Sequence, residues 1–331
     1  MQKLQFIVSK AGDGDFMTIE EAVRAIDDLR KDTVTIFIKA GIYEEKLWIR
    51  KENIVLEGES AETTVIRYGD GAKKLRPDGR EYGTFNTATV LFAGKDITVK
   101  NLTIENTAGE GDVAGQALAI YVASDRTAFY NCRLIGHQDT IFNGEVKFAA
   151  KEKYMYPSYF LESAVPLDYA NPRNYFENCY VSGDVDFIFG SNTVYFKDCE
   201  IFSSKRESKE CSYITAPNTP LGQEYGYVFY GCKLTSDDKP GSVYLGRPWR
   251  DYAKTAFVRC ELGAHIHKAG WHNWNKPRAE VMCSYVEFEN TGEGSDVAER
   301  ASFARHLTNP SIADYYTKEQ VLAGEDGWLA E

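Results

Sequence analysis

Eight short segments of this 331-residue chain share one pattern, and that pattern constrains the fold more than any other feature. They are NIVLEG at Asn53, NLTIEN at Asn101, NCRLIG at Asn131, NCYVSG at Asn178, DCEIFS at Asp198, GCKLTS at Gly231, RCELGA at Arg259 and YVEFEN at Tyr285. In each, the second and fourth positions are apolar, the period of two expected of a strand with one buried face. The shortest interval, Cys179 to Cys199, is 20 residues, whereas alternating β and α units need roughly 30. The segments therefore predict an all-β chain whose coils stack on themselves as a parallel β-helix. The cysteines are expected to stack inward as small hydrophobes, with a reactive thiol as the alternative.

The rest of the chain is read against this repeat as one unit spanning 1–331. Near the start, FMTIEEAVRAIDDL offers Thr18 as a helix N-cap with Glu21 three residues on, and Ile19, Ala22, Val23 and Ile26 on one face. A solenoid needs a lid on its end strand, so this is expected to be a capping helix. Between the coils at Cys132 and Cys179, an insertion of about 30 residues, Asn143 to Pro172, carries Phe148, Tyr154, Tyr156, Tyr159, Phe160 and Tyr169. An excursion of that length with that aromatic content is expected to be functional. From about Ser302 to Glu331 the strand pattern is lost, and this tail is expected to pack along the outside.

A net charge of −11 and a pI near 5.1 disfavour nucleic acid or an anionic membrane as partner, since both require a basic field. The seven cysteines form no Cys-x-x-Cys pair, which argues against a disulfide framework and a zinc site and suits a reducing compartment. The first residues show no apolar run of signal-peptide length, so a cytoplasmic location and a monomer are the expectations, with a trimmed secreted form as the other reading.

Two coils carry the informative detail when extended past their glycine: NCRLIGHQDTIF from Asn131 and NCYVSGDVDFIF from Asn178. Asp139 lies seven residues after Cys132, as Asp186 lies seven after Cys179. If these coils are adjacent, with the insertion looped out, the two aspartates stack about 4.8 Å apart at their backbones. Mutual repulsion at about 5 Å, near 3 kcal/mol, then separates their ionisations by about two pKa units, leaving one an anion and the other inclined to hold its proton. Nucleophilic ester hydrolysis needs that combination. Spacing alone leaves open a pair of turn-making aspartates or a cation site.

At these residues the sequence resembles the pectin methylesterase family over nearly its whole length. GQALAIYVASDRTAFYNCRLIGHQDTIF, GDVDFIFG, and LGRPW at Leu245 to Trp249 are similar to three of its signatures, and GIYEE at Gly41 and FENTGEG at Phe288 to weaker ones. The resemblance implies a single-stranded right-handed parallel β-helix that hydrolyses methyl esters of galacturonate in pectin or oligogalacturonides. It implies Asp186 as nucleophile, Asp139 as acid then base, Gln116 and Gln138 as donors to the oxyanion, and Arg247 as the partner orienting Asp186. Trp249 is implied as a wall of the sugar site, and Phe142, Phe187 and Thr84 as further substrate contacts. Phe142 stands where many members have Tyr, and Asp184, where a small hydroxyl residue is common, adds a third acid. The insertion is larger than in plant forms; its aromatics are expected to wall the groove and limit chain length.

Other readings stay open at this level. The same site could cleave another ester or a thioester, or the chain could be an inactive carbohydrate-binding β-helix; a lyase or glycosidase on this architecture would need a calcium-binding acidic cluster or its own acid pair. No Gly-x-Ser-x-Gly elbow, Walker loop or dinucleotide fingerprint occurs, so a serine triad and a cofactor are not expected. His265, His267 and His272 are expected to cap strand ends or face solvent, with a metal site as the alternative.

Overall fold

A computed structural model describes residues 4–145, 155–207 and 210–330. The described strands form three parallel sheets of eleven, seven and eight strands, visited in turn by each coil of a right-handed parallel β-helix. One coil, for example, runs from Lys95–Lys100 in the eleven-stranded sheet through Thr103–Asn106 in the eight-stranded sheet to Ile120–Val122 in the seven-stranded sheet.

The repeat marks a corner. Asn101, Asn131, Asn178, Asp198, Gly231 and Arg259 all have φ between 52° and 66°, the left-handed region that Asn, Asp and Gly tolerate best. Arg259 is held there by Glu289 at 2.7 Å and the Tyr230 hydroxyl at 2.9 Å. Past the corner Cys132, Cys179, Cys199, Cys232 and Cys260 stack inward, each at most 1% exposed. Each thiol donates to a carbonyl one coil back, such as Cys132 to Val99 at 3.5 Å and Cys260 to Phe229 at 3.4 Å. A small apolar side chain with one weak donor suits a corner with a carbonyl just overhead.

The repeat also reaches back to a phenylalanine three residues before each of these cysteines. Phe129, Phe176, Phe196, Phe229 and Phe257 stack ring on ring, centroids 4.5–4.6 Å apart and planes within 15°. Such pairs are worth about 0.5–1.5 kcal/mol beyond the area they bury. The two outermost predicted segments belong elsewhere. Ile54–Gly58 and Ser284–Phe288 lie in the eleven-stranded sheet, with Ile54 opposite Ile97 and Ser284 opposite Lys254. Apolar alternation identifies a half-buried strand, but not which side of the coil it occupies.

The capping helix is present as Ile19–Arg24, with Ile19, Ala22 and Val23 buried. Thr18 accepts from the Glu21 amide at 3.2 Å, while the carboxylate of Glu45 accepts from the amides of Ile19 and Glu20 at 3.0 and 2.9 Å. In the tail, Arg305–Leu307 still adds a strand to the eleven-stranded sheet, against the expected loss of strand pattern. The helices Ile312–Tyr315 and Lys318–Leu322 follow, and Val321 and Leu322 pack outside that sheet against Tyr175 and Tyr195.

The described part of the insertion after the gap, residues 155–172, packs over the early coils of the seven-stranded sheet. Its helix Ser158–Glu162 buries Phe160, which stacks on Tyr156 at 5.1 Å, and Arg50 donates to the carbonyls of Phe160 and Leu161. Phe148 and Tyr154 lie outside the described residues. No described helix is long and apolar enough to cross a membrane.

Candidate active site

The outer face of the seven-stranded sheet carries the site. Ile141 lies opposite Ile188 and Phe142 opposite Phe189, so two residues earlier Asp139 and Asp186 occupy the same level, with the Asp139 amide donating to the Val185 carbonyl at 3.0 Å. The stacking expected from the cysteine register is present. Both aspartates have left-handed backbone, φ 67° and 49°, conformations that cost on the order of 1–3 kcal/mol each and persist only where the surroundings fix them. Asp186 also sits in a bulge, since Val185 pairs with Tyr213 and Ile188 with Thr215; two residues, Asp186 and Phe187, stand against one, Ile214, which re-aims the extra side chain.

The two aspartates are 7% and 6% exposed as whole residues and differ in company. Arg247 donates from Nε and Nη2 to the two oxygens of Asp186, at 2.8 and 2.7 Å, the planar fork that suits a carboxylate. Burial lifts Asp186 above the ordinary carboxylate value, and Arg247 pulls it back. Among the described residues Asp139 has no such partner. Burial first, then the charge of Asp186, push it well above the usual range, with Arg247 opposing and Asp184 adding to the rise. The surroundings thus favour the anion at Asp186 and the acid at Asp139, with desolvation rather than mutual repulsion the larger cause.

Arg247 is itself clamped. Its guanidinium lies 3.7 Å from the ring centre of Tyr213 and 3.8 Å from that of Trp274, a sandwich that fixes the plane of the fork. Lys276 lies 4.2 Å over Trp274 and donates to the carbonyls of Pro248 and Trp249 at 2.8 and 3.1 Å. Tyr213, Trp274 and Lys276 escaped the sequence reading. Trp274 lies three residues after Trp271 in AGWHNW; Trp271 is a core residue that stacks on Tyr285 at 4.2 Å and donates to Glu287 at 3.0 Å.

The expected substrate residues divide. Trp249 is half-buried and packs on Phe189 at 5.7 Å and Phe142 at 6.3 Å, a wall beside the acids. Phe142 is 3% exposed, covered by Phe85, Tyr121 and Phe189 at 4.7–4.9 Å; it underlies the floor and its ring is not free to stack on a sugar. Phe187 is wrongly assigned as a contact. It is fully buried in the central core, because its neighbour Asp186 faces out and successive strand residues face opposite ways. Thr84 is half-buried at the start of the turn Thr84–Asn86, whose Phe85 covers Phe142.

Gln116 and Gln138 are half-buried on adjoining coils, the Gln138 carbonyl accepting from the Ala117 amide at 3.0 Å. Gly111 lets Gln138 sit close, since a Cβ at that glycine would meet the Gln138 side-chain oxygen at 2.3 Å. The histidines do not face solvent as a group. His265 is buried, which pushes it down to about 4; His267 stacks on Tyr244 at 4.3 Å, and the His267 and His272 rings accept from the Ala269 and Trp274 amides. Among the described residues no group of three His, Cys, Asp or Glu side chains is arranged to hold a metal.

With this geometry in place, comparison with known proteins gives a uniform result. The family model described as Pectinesterase matches residues 5–152 and 167–325; the gap falls within the insertion. The chain is 33% identical to Pectinesterase 31 of Arabidopsis thaliana, across 97% of this chain and 94% of the relative. It is 32% identical to Pectinesterase/pectinesterase inhibitor U1 of Solanum lycopersicum, across 98% of this chain but 52% of that protein. Among solved structures it is similar to pectin methylesterase from carrot, with TM-score 0.83 and 30% identity over 98% of this chain and 94% of that one. A pectin methylesterase in complex with a hexasaccharide matches with TM-score 0.79 and 28% identity over 100% and 99% of the two chains.

Proposed function

This chain belongs to the pectinesterase family and hydrolyses methyl esters of pectin, and we propose that it does so through an aspartyl acyl-enzyme formed on Asp186. The observation that carries this reading is the pairing of a buried carboxylate clamped in both oxygens by Arg247 with a second buried carboxyl held well above its ordinary value. An Asp186 oxygen attacks the ester carbonyl carbon, and the carbonyl oxygen takes the negative charge. Gln116 and Gln138 supply amide donors to it. The bond to the methoxy oxygen breaks, and Asp139 gives its proton to the departing methanol. Asp139, now an anion, takes a proton from water; the resulting hydroxide attacks the acyl carbon, Asp186 leaves, and the free galacturonate carboxylate remains.

Oligogalacturonide is the proposed preferred form of the substrate. Two features support it: the insertion's helix packs over the early coils on the groove side, and the unpaired cysteines suit a reducing compartment, the setting of the proposed cytoplasmic location. Trp249 and the turn at Thr84 then flank the sugar chain. The test is methanol release from methylated pectin and from methylated oligogalacturonides, with Asp186→Asn compared with the wild type and both checked by circular dichroism. Loss of release in a folded variant supports the acyl-enzyme, and retention of release refutes it. Preference for long, highly methylated polymer refutes the oligomer reading.

A further inference from the structure

The two coils that stack Asp139 on Asp186 also stack a second pair. His137 and Asp184 are 47 residues apart, as Asp139 and Asp186 are, and the Asp184 amide donates to the His137 carbonyl at 3.2 Å. Asp184 Oδ2 lies 3.4 Å from His137 Nδ1, with side-chain exposures of 2% and 34%. Asp184 Oδ1 accepts from the Val185 amide at 2.6 Å, which fixes the carboxylate, and among the described residues the buried Nδ1 of His137 makes no hydrogen bond of good geometry. A fully buried carboxylate facing a half-exposed imidazole, one strand repeat before the acid pair, has no part in the chemistry proposed above.

We propose that His137 and Asp184 are positioning residues for the proton transfer, a stacked charge pair whose balance governs how firmly Asp139 holds its proton. The inference rests on the assignment of Asp139 as acid and base. The charges that face Asp139 are Asp186, Arg247 and Asp184; those that face His137 are Asp184, Glu110 and Glu105. Lys276 bears on Asp186. His137 is the one imidazole in this set, the side-chain type whose ordinary range lies nearest neutrality. When it is protonated, the pair is neutral and Asp184 acts weakly on Asp139. When it loses its proton, the uncompensated Asp184 anion favours the protonated form of Asp139. Asp184 in turn lifts the imidazole above its ordinary value, which keeps the pair neutral further into the working range.

The test is the pH dependence of kcat/KM for methanol release in Asp184→Asn, His137→Gln and the double variant. Loss of the Asp139 proton sets the alkaline limb. Asp184→Asn keeps the acceptor for the Val185 amide and is expected to move that limb to lower pH by about one unit, as expected for removal of one nearby like charge. His137→Gln is expected to move it to higher pH, and the double variant to fall between the two. Limbs that do not move, that move in the same direction, or a uniform loss of kcat with an unshifted profile overturn the proposal. The NMR titration of the His137 ring gives a readout independent of turnover. It is expected above about 6.5 in the wild type, lower in Asp184→Asn, and shifted in Asp139→Asn; a ring indifferent to both substitutions overturns the pair. An inactive wild type with a responsive His137 ring refutes the ester hydrolysis assigned to the site and leaves the pair standing.

Discussion

Replacing Arg247 by Met removes the charge that compensates Asp186 while keeping an apolar chain between Tyr213 and Trp274. The ion pair is substantially buried, its side chains 16% and 9% exposed, so the loss is dominated by the carboxylate left without a partner. Breaking such a pair from one side costs about 3–5 kcal/mol. Losing the cation from between the two rings removes about 1–2 kcal/mol of that total. If the remainder is the orphaned charge, Asp186→Asn in the Arg247→Met background restores about 2–3 kcal/mol. The sign with pH follows. Without Arg247 the folded-state pKa of Asp186 rises further above its unfolded value, so the penalty is full at neutral pH and fades as pH falls through that raised pKa and the carboxyl takes a proton. Urea unfolding of the wild type, both single variants and the double variant, at pH 7 and pH 5, measures this. An equal penalty at both pH values, or a double variant no more stable than Arg247→Met, would refute the view that Arg247 acts by compensating a buried charge.

Other outcomes follow from the same geometry. Asp139→Asn is expected to abolish turnover yet stabilise the fold at neutral pH, because a carboxyl held well above its ordinary value destabilises the protein when ionised; the gain vanishes below about pH 4, where both states are protonated, and denaturant melts against pH read it. Gln138→Ala is expected to lower kcat about 10²- to 10³-fold with little change in KM, as for loss of one oxyanion donor, measured by steady-state methanol release. Phe196→Ala, at the middle of the ring stack, is expected to cost about 3–5 kcal/mol of stability through the cavity it leaves, while Cys199→Ala beside it costs far less; comparable losses in urea unfolding would mean that the rings do not carry the core.

The sequence by itself determined the β-helix and the meeting of the two aspartates. Both rest on local quantities: a period of two in the strands, and seven residues from an inward cysteine to an outward aspartate on two stacked coils. Backbone hydrogen bonding converts equal spacing along the chain into equal height in the stack, so Asp139 falls on Asp186 and His137 on Asp184. Arg247 was legible through its motif, but its clamp was not. Tyr213, Trp274 and Arg247 come from separate coils and loops, and only the closed solenoid brings two rings to 3.7 and 3.8 Å from one guanidinium. Tertiary structure likewise decided that Phe187 faces the core and that Phe142 lies beneath other rings. It also assigned the segments at Asn53 and Tyr285 to a different sheet from the cysteine strands. Apolar spacing reports that a side chain is buried; which wall of the coil buries it depends on where the corners fall, and those are set by left-handed residues and long-range pairing.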